Sequence, residues 1–341
     1  MDSTENRAAF IPAAKSTFEV RSAPLATPGA GQILVRNSAI AINPIDYKLQ
    51  KLAIYPLNYP AILGEDVAGT VVSIGPGVAR LKPGDRVIGC TAGFATKDDT
   101  EQAFQENTIL REILACKIPT TATFDEAVVL PLAVTTASAA LFNPDLLGLR
   151  LPHEPATASK TDQTLLVWGG AGSVGSAAIQ LASAAGYEVV STSSPKNFEH
   201  VKRLGASEVF DYSSPTVVAD IVGALKSKAF AGAFDAYGGP ASAPTASVVA
   251  QVEGRKVVAT VARYHPEPPE GVSMKFTASL STMDNGVALA IWQEFLPKAL
   301  EAGSFKFAPE PLIAGHGLDG VQDALDKMGE GVSAKKLVVV L

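Results

Sequence analysis

Gly170-Ala171-Gly172-Ser173-Val174-Gly175 is the stretch whose residue types and spacing most directly imply chemistry. The apolar run Leu165 to Gly169 precedes it, and a helix-periodic stretch opens near Ser173. In such a loop the first glycine permits a tight turn, the second lets backbone approach a pyrophosphate, and the third lets the helix pack on the strand; the helix N-terminus itself favours an anion. Gly170, Gly172, Ser173, Val174 and Gly175 are therefore expected to bind a dinucleotide. The pattern alone is weak, since 29 glycines in 341 residues give roughly 0.2 chance matches per chain. A second match, Gly315-His316-Gly317-Leu318-Asp319-Gly320, carries Asp319 where a phosphate would sit and has only 21 residues after it. That is short of the roughly 30 residues of a βαβ unit, so it reads as a loop and helix start.

The end of the following strand decides which dinucleotide is expected. An NAD site places Asp or Glu there, about 20 residues past the loop, on the ribose hydroxyls. From Val189 to Phe198 there is no acid; the chain reads Ser193-Ser194-Pro195-Lys196-Asn197. Hydroxyls from Ser193 and Ser194, a helix start and the Lys196 cation suit a 2′-phosphate, so NADPH is the expected cofactor, with Tyr212 covering the adenine side.

Residues that are scarce are equally informative. Two cysteines, Cys90 and Cys116, and four histidines, none at ligand spacing, exclude a disulfide framework and argue against a soft-metal cage. A net charge of −6 without basic clusters disfavours nucleic acid and anionic membranes as partners. Met1 to Phe10 lacks an apolar signal core, and no run is expected to reach the ~18 apolar residues of a membrane span. A reduced, cytoplasmic location is the expectation.

These residues need elements to position them. Apolar runs punctuated by Pro-Gly and Gly-Asp turns between Gln32 and Gly89 read as a β-rich, barrel-like unit. After about Leu130 strands alternate with helix-length stretches, the pattern of a parallel sheet with crossover helices. Strands are expected at 165–169, 188–192, 208–212, 234–237 and 256–261. Helices should run from Ser173 to about Ala185, from Pro195 to Gly205, and from a Ser214 cap with Pro215 as its first residue. Asn143 to Asp162 reads as a surface loop. Helices at 289–300 and 321–328 precede a last strand, 336–341, expected to return to the β-rich unit.

Several ordered motifs then resemble the medium-chain dehydrogenase/reductase superfamily over essentially the whole chain: Ala41-Ile42-Asn43-Pro44-Ile45-Asp46, Leu63-Gly64-Glu65-Asp66-Val67-Ala68-Gly69, Gly84-Asp85-Arg86-Val87, Leu130 to Ala137, and the glycine loop. The resemblance implies an α/β protein with a GroES-like β-rich catalytic domain, residues 1–131 and 291–341, around a Rossmann-type doubly wound parallel-sheet domain, residues 132–290. In zinc alcohol dehydrogenases of this superfamily Cys, His and Cys hold the catalytic metal; the matching positions here are Asn43, Glu65 and Leu132, and residues 91–106 lack the four-cysteine structural lobe. The chain is thus similar to the zinc-independent branch of quinone and enoyl reductases, with no metal site. It is most similar to the fungal group around the lovastatin trans-acting enoyl reductase, through Asn43-Pro44-x-Asp46-x-Lys48, Ser194 to Phe198, Glu208 to Tyr212 and Lys336 to Val339. Unlike that enzyme, whose glycine loop is degenerate, this chain keeps an intact one.

By that resemblance Asn43 and Thr136 lie near the nicotinamide, and Tyr55 and Lys48 are candidates for proton delivery; Glu65 and Asp66 read as structural. Without a Lewis acid, alcohol oxidation loses its main stabilisation, whereas a quinone or enone accepts hydride directly. The expected function is NADPH-dependent, zinc-independent hydride transfer to a quinone or α,β-unsaturated carbonyl. Two alternatives are a trans-acting enoyl reductase partnered with a synthase carrier domain, and a non-catalytic NADPH-binding structural or regulatory protein. Either a monomer or a homodimer is compatible with the resemblance.

Overall fold

The computed structural model describes residues 5–155 and 160–341. Part of the N-terminal stretch and residues 156–159 of the expected surface loop lie outside the described residues. The chain divides into two compact units, Met1–Leu132 with Phe307–Leu341, and Ala133–Lys306.

In the first unit the strands are β1 (Glu5–Ile11), β2 (Glu19–Pro24), β3 (Gln32–Ala41), β4 (Ala61–Ile62), β5 (Asp66–Ile74), β6 (Arg86–Cys90), β7 (Asn107–Arg111) and β8 (Ala115–Lys117). The second unit carries β9 (Gln163–Trp168), β10 (Glu188–Ser193), β11 (Glu208–Asp211), β12 (Ala229–Asp235), β13 (Val257–Thr260) and β14 (Ser273–Phe276), and the chain returns to the first with β15 (Glu310–His316) and β16 (Lys335–Val340).

The first unit is built on a sheet in the order β15-β16-β3-β5-β6-β8, with β7 also pairing β3, beside a small β2-β1-β4 sheet. Its core gathers Ile33, Ile40, Ile42, Leu63, Val67, Phe104, Leu325 and Val339. The last strand pairs antiparallel with β3, Val338 opposite Ala41. Gly64, at φ +102°, sits where a Cβ would lie 2.4 Å from the Phe104 ring; only glycine lets the chain pass there and turn Glu65 and Asp66 inward.

The second unit is a parallel sheet in the order β11-β10-β9-β12-β13-β14, with helices between the strands, among them Ser173–Ala184, Phe198–Arg203, Val217–Leu225 and Ser242–Gln251. The strand order reverses beside β9, the position at which doubly wound sheets bind ligands.

Several expectations need correction. β12 begins at Ala229 rather than Phe234; its small residues, Ala229, Ala231, Gly232 and Ala233, hide it from an apolar-run reading. The helix expected from Ser214 starts at Val217, with Thr216 in the capping position and the Ser214 hydroxyl accepting from the Thr216 N–H. Residues 291–306, expected with the β-rich unit, cluster with the parallel-sheet unit. There Gln180 Nε2 donates to the Lys306 carbonyl (3.2 Å) and Gln180 Oε1 accepts from the Lys306 N–H (2.7 Å), an amide pair that binds this segment to the Ser173–Ala184 helix.

The second glycine match is part of a βαβ unit after all: β15 and β16 are parallel and flank the helix Gly320–Glu330. Counting forward from the glycines missed the strand that precedes them. A Cβ on Gly315 would lie 2.5 Å from the Gly320 carbonyl oxygen, so close backbone packing accounts for this pair. Finally, Phe124–Phe142 does reach the length and apolarity of a membrane span, but it is 78% buried inside the protein, as a core helix is.

Candidate active site

In the second unit the glycine loop is held by the end of β10. Thr192 Oγ1 accepts from the Gly169 N–H (3.0 Å) and the Thr192 carbonyl from the Gly170 N–H (2.8 Å). The tight turn is made by Gly169, at φ +88°, rather than by Gly170. Gly170 is glycine for another reason: a Cβ there would lie 2.2 Å from Ser191 Oγ, whose hydroxyl donates to the Val167 carbonyl. A Cβ on Gly175 would lie 2.2 Å from the Gly169 carbonyl oxygen, so helix packs on strand through it. Gly172 differs: it is exposed, caps the helix, and its nearest neighbour to an added Cβ is 3.7 Å away. Ser173 and Val174 follow in the first helical turn. Open backbone at a helix N-terminus is a surface a pyrophosphate fits.

Ser193, Ser194 and Lys196 follow at the carboxyl end of β10, with Lys196 exposed and in no ion pair among the described residues. Tyr212, just past β11, is 51% exposed, and its N–H points to the Ser193 carbonyl (3.4 Å). The structure thus gathers Ser193, Ser194, Lys196 and Tyr212 at neighbouring strand ends. The acid nearest in register is Asp211, opposite Ser193; its Oδ1 is engaged by the Ser213 N–H and hydroxyl. Sequence reasoning missed Asp235. Fully buried, it accepts from the Tyr237 and Gly238 N–H groups and from Ser242 and Thr260 hydroxyls, fixing the β12 loop against Gly169. An acid closing a strand just before two glycines was the signal available. Thr136, in the same unit, lies on the helix Pro131–Phe142 and is 8% exposed.

In the first unit Asn43 caps a short helix, Pro44–Tyr47, in a reciprocal arrangement in which Asp46 Oδ2 accepts from the Asn43 N–H (2.8 Å). Asn43 Nδ2 donates to Asp66 Oδ2 (2.8 Å), and Lys336 Nζ, from β16, donates to Asn43 Oδ1 and pairs with Asp66 Oδ2 (2.7 Å). The Leu132 N–H completes the set on Asp66 Oδ1 (2.6 Å). Glu65 lies beside these groups, its Oε2 3.5 Å from Thr91 Oγ1. Burial pushes the Glu65 carboxyl up to about 8, and the neighbouring Asp46 and Asp66 charges push the same way. Burial likewise pushes Asp46 up to about 7 against the opposing Asn43 N–H. Lys336 was the unread member; a lysine opening an apolar terminal strand, on the alternation that points inward, was its signal.

The other expected residues stand apart from this cluster. Lys48 is exposed on the turn Lys48–Leu52. Tyr55 is half-buried, its ring 5.7 Å from that of Phe94, on a cleft of about 360 Å³ lined also by Leu57, Ile62 and Gly93. Cys90 and Cys116 are buried.

Comparison with known proteins bears on this geometry. The chain matches the alcohol dehydrogenase GroES-like domain over residues 29–137 and the zinc-binding dehydrogenase family over residues 173–294. It is 47% identical over 337 residues, 98% of each chain, to the zinc-binding alcohol dehydrogenase domain-containing protein cipB of Emericella nidulans. It is 37% identical over 345 residues, 99% of this chain and 98% of the other, to the trans-enoyl reductase himH of Aspergillus japonicus. An alcohol dehydrogenase superfamily protein from Novosphingobium aromaticivorans has a similar structure, with a TM-score of 0.77, 26% identity, and 98% and 99% of the two chains covered.

Proposed function

Since the chain belongs to the medium-chain dehydrogenase/reductase family, near the fungal enoyl reductases, and its dinucleotide-binding domain implies a nicotinamide cofactor, we propose that it is an NADPH-dependent, zinc-independent oxidoreductase. It transfers hydride to a conjugated acceptor, a quinone or an α,β-unsaturated carbonyl. The observation that carries this reading is the Asn43, Asp66 and Lys336 cluster. The family's name includes zinc, yet the residues matching its ligand positions do not fit the metal. Leu132 brings only an N–H, already given to Asp66, and the Asn43 amide oxygen accepts from the Lys336 ammonium. An ammonium at 3% exposure beside these groups repels a divalent cation.

NADPH, when bound, supplies the hydride. Gly172, Ser173, Val174 and Gly175 would hold its pyrophosphate, and Ser193, Ser194 and Lys196 its 2′-phosphate, with Tyr212 beside the adenine. The open face of Gly172 and the uncommitted Lys196 ammonium support that assignment. For the acceptor, the Tyr55 and Phe94 cleft offers an apolar wall. Conjugation lets the acceptor spread incoming charge into an enolate or quinol anion, which hydrogen-bond donors stabilise without a metal.

The test is NADPH oxidation across quinones, enones and enoyl thioesters. Turnover of quinones or enones is expected; tight NADPH binding with no oxidation by any of them would overturn the reading. A second reading, a trans-acting enoyl reductase, is favoured by the relative named as one; it expects turnover confined to enoyl thioesters.

A further inference from the structure

We infer that Glu101 is a positioning residue: it holds Phe94 against Tyr55, and through that ring pair selects acceptors that carry a flat aromatic ring system. This rests on the reading of the chain as a reductase of conjugated acceptors, with the Tyr55 and Phe94 cleft as the acceptor's seat.

Every group involved belongs to the first unit. Between β6 and β7, residues 91–106 hold only the short turns Gly93–Thr96 and Asp99–Glu101, and connections of that length without longer elements are commonly functional. Residues 94–98 are all exposed, so the stretch buries too little apolar surface there to fix its own place. Yet it supplies much of the cleft wall, through Gly93, Phe94, Lys97, Asp99 and Gln102. Polar anchors must hold it.

Glu101, only 2% exposed, is the principal anchor. Arg111 Nε and Nη2 donate to its two carboxylate oxygens (3.2 and 3.1 Å), and Gln32 Nε2 donates to Oε1 (2.7 Å). Gln32 and Arg111 face each other across β3 and β7, so one carboxylate fastens the stretch to two strands at once. The forked geometry of the arginine pair fixes direction as well as distance.

Gln102 carries that constraint to the cleft. Its side-chain amide donates to the Gly64 carbonyl and its side-chain oxygen accepts from the Phe94 N–H, both at 3.1 Å. A Cβ on Gly93 would lie 2.7 Å from the same side chain, so the turn packs directly on it. Phe94 is thereby set with its ring 5.7 Å from that of Tyr55 and tilted by 58°, and 37% of the residue stays exposed for a ligand to cover. A cleft of about 360 Å³ is at the small end of ligand sites, which suits one or two fused rings. An aromatic corner gains about tenfold in affinity from a flat π system through offset and edge contacts, which a non-aromatic enone does not make.

The test is steady-state kinetics of the full chain with NADPH and either 1,4-naphthoquinone or cyclohex-2-enone. Glu101→Gln should raise KM for the naphthoquinone about tenfold, with kcat, KM for cyclohex-2-enone and KM for NADPH within twofold of wild type. Phe94→Ala should raise the naphthoquinone KM equally, and adding Glu101→Gln to it should change nothing further, because the carboxylate acts through that ring. Arg111→Gln, made at the more exposed partner, repeats the cycle if Glu101→Gln does not fold. An unchanged naphthoquinone KM in the Glu101 and Arg111 variants overturns the inference, as does an equal rise for cyclohex-2-enone or an effect that persists without Phe94. Loss of the fold in both variants makes the pair structural and also overturns it. An active wild type whose naphthoquinone KM ignores Phe94→Ala removes the cleft, and this inference, while leaving the reductase reading in place. A wild type that oxidises no NADPH with any acceptor overturns that reading, and this inference with it.

Discussion

Replacing Glu65 by Gln should make the protein less sensitive to alkali, by an amount the burial of this carboxyl sets. In the folded chain the group is raised from its ordinary 4.5 to about 8. The folded state therefore holds the proton more tightly than the unfolded one, and the stability this contributes is complete below pH 4.5 and lost as pH rises through about 8. At about 1.36 kcal/mol per pH unit the full span amounts to about 5 kcal/mol. Gln keeps the shape of the neutral acid and has no proton to lose, so variant and wild type should be similarly stable at pH 5, with the variant ahead by several kcal/mol at pH 9. Urea unfolding at both pH values measures this. Both tryptophans, Trp168 and Trp292, lie in the other unit, so the transition must be followed by circular dichroism. A difference independent of pH would refute the reasoning, as would one that favours the wild type increasingly with pH, the mark of a carboxylate held low by a cation.

Lys336→Met should destabilise the first unit by about 3–5 kcal/mol at neutral pH, since it strands Asp66 as a buried unpaired charge; addition of Asp66→Asn should recover much of the loss in the same denaturation assay. Lys196→Ala should raise KM for NADPH about tenfold while leaving that for NADH unchanged, because one charge-assisted contact to the 2′-phosphate is lost; equal effects on both cofactors would refute the assignment. Gly175→Ala, whose Cβ would meet the Gly169 carbonyl, should lower stability by about 1–3 kcal/mol. Gly172→Ala, with open space, should keep the melting temperature and weaken NADPH binding in a titration.

The parallel-sheet unit was legible because its signals are local. The strand before the glycines and the cap-bounded helix after them define the β9 turn within about twenty residues, and the missing acid at Ser193 and Ser194 is read from one strand end. Gly169 escaped notice because a pattern of glycines does not say which one has positive φ. The first unit's cluster was harder. Asn43, Glu65 and Asp66 stood out by resemblance, but their partner Lys336 is 293 positions from Asn43, and β3 and β16 must pair before the two meet. Glu65 and Asp66 look alike in sequence; one accepts from a cation and the other does not, and that difference exists only in three dimensions. Likewise the βαβ unit around Gly315 to Gly320 required β15, whose half-exposed residues give no apolar run.

The measurement that tests the central claim most directly is the rate of NADPH oxidation with a quinone or an α,β-unsaturated ketone before and after exhaustive treatment with a zinc chelator, with metal content determined on the same sample. Metal-free hydride transfer predicts an unchanged rate in protein containing no stoichiometric zinc. Loss of activity on chelation, restored by added zinc, would contradict it.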